Sequence, residues 1–334
     1  MDGQDRGDEG PIKEWEALRK QDLDSLLTSS RELSWSMHGK RLGFYVWGCS
    51  DWRAADGKNI VGGYPTVSIT GDECALGCDH CRATLLPTME PAQDPDVLMA
   101  LAMRFKEEGR EGMLISGGCS NDGTLPWERF GEAISAVKKE TGLRISVHTG
   151  IVKESQAKAL SEAGVDEALI DVIGSEATMR EVYHIDTKDP LGDMELSLDH
   201  LADWGIPMVP HVLVGLHRGQ VRGEMRALEM CARREPSVFV VIALIPQKGT
   251  PMEHVAPPRA EDVARFIAAA RARMPKVPIA LGCARPKPPY RGPMDRLAVA
   301  AGVNRIASPS REAEKEAKAL GVNIYYKRTC CCVP

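Results

Sequence analysis

Nothing in the 334 residues is apolar for long enough to cross a bilayer. The longest uninterrupted apolar run, Val238 to Ile245, has eight residues, against the roughly 18 to 20 that a membrane helix needs. A basic stripe is missing too. With 42 Lys and Arg against 47 Asp and Glu, the formal charge is −5, so neither nucleic acid nor an anionic membrane is expected as a partner. The first ten residues, MDGQDRGDEG, are polar and acidic with no apolar stretch behind them. That is unlike a secretory or mitochondrial signal, and a cytoplasmic protein is expected. What remains is an ordinary globular composition, 43% hydrophobic and 27% charged, enough for one large domain or two small ones. The unusual count is ten cysteines. In a large chain without a secretion signal, they point to metal or redox chemistry rather than a disulfide framework.

Beyond residue 64 the sequence alternates short β-branched runs with longer amphipathic stretches. Strands are predicted at Pro65–Thr70, Gly112–Ser116, Arg144–His148, Ala168–Ile173, Met208–Gly215, Val238–Ile245, Ile279–Cys283 and Arg305–Ser308. Between them, segments such as WERFGEAISAVKKETG and DVARFIAAARARMP have helical periodicity and close on Gly or Pro. Eight strand-helix units over about 270 residues suit a (β/α)8 TIM-type barrel, complete or slightly open. The alternative is a doubly wound open sheet, but no GxGxxG follows the first strand. Residues 1–60 read as an N-terminal helical extension, 61–310 as the barrel, and 311–334 as a C-terminal helix with a Cys-rich tail.

Cys74, Cys78 and Cys81 form a CxxxCxxC array directly after the first predicted strand, which in a barrel is the catalytic end. Three thiolates on one short loop can hold three irons of a cubane cluster and leave the fourth open to a small molecule. Zinc would need a fourth ligand, and His80, inside the motif, is expected to reach poorly. Cys330, Cys331 and Cys332 make a second clump, while Cys49, Cys119, Cys231 and Cys283 stand alone. Cys231, in the helical ALEMCARR, reads as a small buried hydrophobe. Three consecutive thiols read instead as metal ligands or a sulfur source, with Cys330 and Cys332 on one side of an extended tail and Cys331 on the other.

The segment VSITGDECALGCDHCRATLLPTM resembles the cluster loop of the radical S-adenosylmethionine (SAM) enzymes. Ile115-Ser116-Gly117-Gly118 is similar to the family's glycine pair near SAM, although Cys119 stands where the family often has Glu. ALIPQKGTPM is similar to the adenine-contacting stretch, which places Ile245, Pro246, Gly249 and Thr250 near the cofactor. The resemblance implies a 4Fe-4S cluster that binds SAM and generates a 5'-deoxyadenosyl radical for hydrogen abstraction. Longer stretches, among them IDVIGSEATMREVYHID and LGCARPKPP, resemble the biotin-synthase-like branch that includes the split, two-component lipoyl synthases. That implies sulfur insertion into an octanoyl chain on a carrier-protein lysine, a second iron-sulfur cluster as sulfur donor, a second radical SAM partner protein and an electron donor. For the second cluster the candidate ligands are Cys49, Cys283, Cys330, Cys331 and Cys332. A mutase or cofactor maturase of the same branch, without sulfur insertion, and a non-enzymatic iron-sulfur scaffold are the competing readings. At the predicted catalytic rim, His148, Thr149, Asp171 and His211 serve either SAM or substrate, or internal hydrogen bonding. Arg218 is placed with them, Tyr183 and His184 are read as packing residues, and Arg285 is placed where it would orient a second cluster.

Overall fold

The computed structural model describes residues 9–46, 51–53, 57 and 59–333. Its strands are β1 (Arg41–Tyr45), β2 (Asp51–Arg53), β3 (Asn59–Val61), β4 (Thr66–Ser68), β5 (Glu90–Pro91), β6 (Gly112–Ser116) and β7 (Arg144–His148). There follow β8 (Glu167–Asp171), β9 (Met208–Val214), β10 (Phe239–Ala243), β11 (Ile279–Leu281), β12 (Arg305–Ala307) and β13 (Asn323–Lys327). The helices are α1 (Glu9–Lys20), α2 (Leu23–His38), α3 (Pro95–Glu107), α4 (Trp127–Thr141), α5 (Glu154–Ala163) and α6 (Glu176–Glu181). The rest are α7 (Pro190–Asp203), α8 (Glu224–Ala232), α9 (Ala260–Arg273), α10 (Arg291–Ala300) and α11 (Arg311–Ala319). No helix among the described residues is long and apolar enough to cross a membrane.

Eleven strands form one sheet in the order β13-β1-β12-β11-β10-β9-β8-β7-β6-β4-β5, with parallel pairing throughout. Successive side chains on a strand point to opposite faces, and the two faces have separate cores. Ile145, Val147, Ala168, Ile170 and Val212 belong to the larger core. Tyr45, Leu169, Val209, Val240, Ala280 and Ala307 form a second cluster. These six come from strands spread between β1 and β8, and they meet because the sheet curls. The curl is not closed, since the edge strands β5 and β13 do not pair. The N–H of Gly63, just before β4, donates to the carbonyl of Arg328, just after β13 (2.8 Å), and Arg328 Nε donates to the Val61 carbonyl (2.9 Å).

The fold is thus an α/β half-barrel consistent with the TIM-type expectation in its run of parallel strands, but eleven strands wide and open. All eight predicted strands are present, as β4 and β6 to β12. Three strands of the main sheet were not expected, β1, β13 and the two-residue β5, nor was the separate β2–β3 pair. β1 lies within 1–60 and β13 within 311–334, segments read as extension and tail, yet both belong to the main sheet. β1 tolerates close neighbours because Gly43 has no side chain: a Cβ there would lie 2.7 Å from both the Tyr325 and Tyr45 rings. α2 docks through polar contacts with the C-terminal end of α10. Ser30 Oγ donates to the Ala301 carbonyl (2.7 Å), Ser34 Oγ to Gly302 (2.6 Å) and Arg31 Nη1 to Ala300 (2.8 Å), which satisfies carbonyls that a helix end leaves unpaired.

The tail fills the concave side of the sheet. It bends, with the Val333 N–H donating to the Cys330 carbonyl (3.1 Å), so the expected alternation of an extended segment does not apply. Cys331 and Cys332 are 2% and 0% exposed and pack with Tyr45, Tyr64 and Val209. Arg305 holds them there, its Nη1 donating to the carbonyls of Cys331 and Val333 (2.9 Å each). Beside them Ser146 donates to Glu167, whose buried carboxylate also pairs with Arg144 (2.8 Å), while the Tyr64 hydroxyl meets Ser146 Oγ (2.5 Å). Arg305→Ala removes both tail contacts, each worth about 1 to 3 kcal/mol with a charged donor. We expect Cys331 and Cys332 to become reactive toward a thiol reagent in folded protein, with labelling rates well above wild type; equal rates would show that the tail does not depend on Arg305.

Candidate cluster-binding loop and the half-barrel interior

The CxxxCxxC loop follows β4 and is hung on its neighbours by backbone bonds. The Ala75 N–H donates to the Cys119 carbonyl (2.8 Å) and the Asp79 N–H to Val182 (2.8 Å), while the Gly118 N–H donates to Thr70 Oγ1 (2.7 Å). A Cβ on Gly118 would stand 2.0 Å from the Glu73 carbonyl oxygen and 2.5 Å from the Cys74 Cβ. Gly118 therefore serves the packing of the loop itself, whereas at Gly117 the nearest atom to a Cβ, Thr70 Oγ1, is 3.0 Å away. A cavity of about 410 Å³ flanks this contact, lined in part by Thr70, Cys74, Gly118 and Cys119.

The donors on the loop fit a metal centre. Ligand atoms of Cys78, His80 and Cys81 lie within 4.8 Å of one another, so His80 reaches farther than its place inside the motif suggested. Its Nδ1 is buried without a hydrogen-bond partner. The Cys78 thiol hydrogen-bonds to Cys81 and, with His80, holds the Cys81 thiol down at about 4, while the same contact and burial push Cys78 up. Burial, followed by the charges of Cys74, Asp171 and Cys81, pushes Cys119 up to about 12. Among the described residues, Cys74, Cys78, Cys81 and Cys119 are all free thiols.

Asp79, 7% exposed, braces the loop against two others. It accepts from His184 Nε2 (3.0 Å) and faces Arg218 (3.6 Å) and Arg82 (3.8 Å). Arg82, His184 and Arg218 have φ of 46°, 60° and 52°, a left-handed backbone that side chains seldom adopt and that costs about 1 to 3 kcal/mol each. Their convergence on one carboxylate marks the strand-end loops as mutually fixed. Tyr183 packs its ring on His80 (centroids 4.9 Å apart), and its carbonyl accepts from the Cys78 thiol (3.5 Å). Thr84 Oγ1 donates to Gln247 Oε1 (3.0 Å), tying the loop to the segment after β10 that carries the half-buried Ile245 and Pro246. Asp79, Gln247 and Thr84 were not singled out in the sequence, and no spacing pattern would have paired them.

Deeper on the concave face, His148 and Asp171, the last residues of β7 and β8, meet His211 in the middle of β9. His148 Nε2 is 3.6 Å from Asp171 Oδ1, and the two imidazoles are 5.6 Å apart and near perpendicular. The side chains of His148 and Asp171 keep about 30% of their surface accessible. Burial alone would raise the Asp171 carboxyl, but the charges of His148, His211 and His80 outweigh it and leave it at about 2. Burial would likewise lower His148, and Asp171 reverses the sign and raises it; His211 stays lowered by burial and by His148.

Thr149 is not part of this group: its hydroxyl contacts the carbonyls of Gly150 (3.0 Å) and Leu169 (3.2 Å), and its carbonyl accepts from Trp127 Nε1 (3.0 Å). Thr250 is buried and Gly249 exposed beyond β10. Arg285 departs from its expected role. β11 ends at Leu281, and Arg285 is fully buried against Asp295 (2.6 and 3.1 Å) and the Ser308 carbonyl (3.1 Å); it holds helix α10 to the sheet. Cys283 and Cys330 pack on the inner cluster, and burial, with the charge of Cys330, pushes Cys283 up to about 11. Cys231 is buried in α8 as expected. Cys49 lies outside the described residues.

No family model matches the chain. A biotin synthase from Acidithiobacillus ferrooxidans is 26% identical over 246 residues, 72% of this chain and 76% of that one. A biotin synthase from Allorhizobium ampelinum is 25% identical over 238 residues, 68% and 70% of the two chains. Among solved structures, methylornithine synthase matches with a TM-score of 0.61 at 14% identity over 95% and 94% of the two chains. The chain is thus similar in sequence to biotin synthases and in fold to methylornithine synthase. HydG, a maturase of the FeFe-hydrogenase, matches the fold with a TM-score of 0.64 at 16% identity, over 87% of this chain and 62% of that one. Cys74, Cys78 and Cys81 stand on one loop, with the ligand atoms of Cys78 and Cys81 within 4.8 Å of each other, a donor set whose chemistry suits a 4Fe-4S cluster.

Two outcomes follow from the loop geometry. Gly118→Ala should displace Glu73 and Cys74 and lower the iron bound after anaerobic reconstitution; undiminished iron would mean the loop shifts freely. Glu224 anchors the loop after β9, accepting the Gly215 N–H on Oε1 (2.8 Å) with Oε2 unpartnered. Burial raises it from 4.5 to about 7. Between those values the folded state keeps a proton that the unfolded state releases, so stability falls as pH rises through the window, by on the order of 3 kcal/mol. Urea unfolding at about pH 5 and about pH 7 should show this slope in wild type and lose most of it in Glu224→Gln.

Proposed function

We propose that the protein is a radical SAM sulfur-insertion enzyme of lipoyl-synthase type, acting on an octanoyl chain carried on a protein lysine. The observation that supports sulfur insertion is the position of Cys283 and Cys330. Both thiols pack on the inner face of the half-barrel, and Cys330 is near enough to His148 and His211 for its charge to act on them. A simple hydrogen-abstracting isomerase has no need of thiols there. When bound, the loop cluster supplies the electron that cleaves SAM to a 5'-deoxyadenosyl radical.

The chain's own residues do the rest. Cys74, Cys78 and Cys81 would hold the cluster, and Gly117 and Gly118 bring backbone close to that loop. Ile245 and Pro246 line the approach from the β10 side. Tyr183 and His80 cover the loop, and the apolar floor of Tyr45, Tyr64, Cys331 and Cys332 excludes water from below, which protects a reactive radical from side reactions. A second cluster as sulfur donor would draw on Cys283 and Cys330, with Cys49 also a candidate. The octanoylated carrier, a second radical SAM protein and an electron donor complete the reading.

One observation favours the mutase or maturase reading. Cys331 and Cys332 are spent on the apolar floor, leaving fewer thiols for a second cluster than the sequence offered.

Anaerobically reduced protein should convert SAM to 5'-deoxyadenosine, and Cys→Ala at 74, 78 or 81 should abolish this. Cys283→Ala with Cys330→Ala should lower bound iron and sulfide without stopping SAM cleavage, and mass spectrometry should show an octanoyl-lysine peptide gaining sulfur in wild type only. Iron and sulfur transfer unchanged in the double variant would remove these thiols from sulfur delivery. SAM cleavage with no hydrogen taken from any octanoyl carrier would favour the mutase or maturase.

A further inference from the structure

The layer of His148, Asp171 and His211 is a metal-ligand set that the loop cysteines do not account for. Each residue offers one donor atom, and the three atoms lie within 4.8 Å of one another. The spacing is built into the sheet: Asp171 and His211 are register partners on β8 and β9, and His148 sits on β7 opposite Leu169, two residues before Asp171 on the same face. His211 is also oriented as ligating histidines are. Its Nδ1 donates to the Val209 carbonyl (3.0 Å), which fixes the tautomer and leaves the Nε2 lone pair free. His148 presents Nε2 to the carboxylate. A second observation comes from above the layer. The Tyr183 hydroxyl is buried without a partner, close enough to Asp171 to be affected by its charge, a position from which it can serve a group bound between the loop and the layer.

We propose that His148, Asp171 and His211 bind one divalent transition-metal ion, iron(II) or zinc(II), in the half-barrel. Two imidazoles and one carboxylate on one side of an ion suit these metals and leave coordination positions open. Those positions face the interior below the cluster loop, where a substrate oxygen, nitrogen or sulfur would be anchored. The site is independent of sulfur insertion and of the loop cluster.

The test uses full-length protein in which Cys74, Cys78 and Cys81 are replaced by Ala, so that the loop takes up no metal, titrated anaerobically with cobalt(II). We expect one cobalt per chain with a visible ligand-field spectrum, and a dissociation constant weakened about tenfold or more by either His148→Gln or His211→Gln. Wild-type protein with its loop cluster already assembled is titrated with zinc(II) in parallel and should show the same loss in the two Gln variants, which covers failure of the triple variant to fold. Thermal unfolding without metal identifies any Gln variant that is simply misfolded; in that case His211→Ala replaces it. Absence of cobalt and zinc binding overturns the proposal and leaves His148 and Asp171 as an ion pair alone. So does binding that the histidine variants leave unchanged, or binding dominated by a thiolate-to-cobalt charge-transfer band that disappears in Cys330→Ala.

Discussion

A curled parallel sheet has a concave face, and whatever fills that face determines what the molecule can do. Here the filling is graded. At the N-terminal ends of most strands it is closed by Tyr64, the Arg144–Glu167 pair and the inserted Cys331 and Cys332, which pack in one cluster with Tyr45. Above it the side chains turn polar at His148 and Asp171, which end β7 and β8, and at His211. At the C-terminal ends the cysteine loop lies across the opening. The gradient needs no special architecture beyond the two-residue alternation of the strands: on β8, Glu167, Leu169 and Asp171 share the inner face in that order, running from the floor to the chemistry.

The loop at the top depends on backbone proximity more than on side-chain pairing. Gly118 permits an approach that even one added carbon would block, and three left-handed residues converge on Asp79. Exposed ion pairs contribute little to stability, and Arg82, His184 and Arg218 are each substantially exposed, so the role of this cluster is positional. It joins the loop after β4 to residues following α6 and β9.

Much of this was legible in the sequence because the signals were local. CxxxCxxC after a β-branched run placed the three cysteines on a loop after β4 at the C-terminal end of the sheet, and strand-helix alternation located all eight expected strands. What escaped depended on distant partners. RLGFY and NIYYK are too short and too weakly patterned to read as core strands, and they become strands by pairing with each other and with β12 across the full length of the chain. Arg285 looked like a site residue because a continued strand would point it inward; β11 stops first, and Asp295, on a helix ten residues away, takes the guanidinium. The three tail cysteines read as metal ligands or a sulfur source, since sequence does not show that a concave apolar face buries Cys331 and Cys332.

The insertion of β1 between β12 and β13 has a consequence for how the molecule assembles. From β4 to β12 each strand lies beside one close to it in sequence, so this arc can grow from local units. β1 has to wait for residues some 260 positions downstream, and contacts of that separation form slowly because loop closure is costly in entropy. β13 pairs with β1, and the tail reaches the interior only after β13, which orders the final steps as β12, β1, β13 and then the tail. Until those steps are complete, the floor beneath the histidine layer is open, and the interior can be reached from below as well as from above.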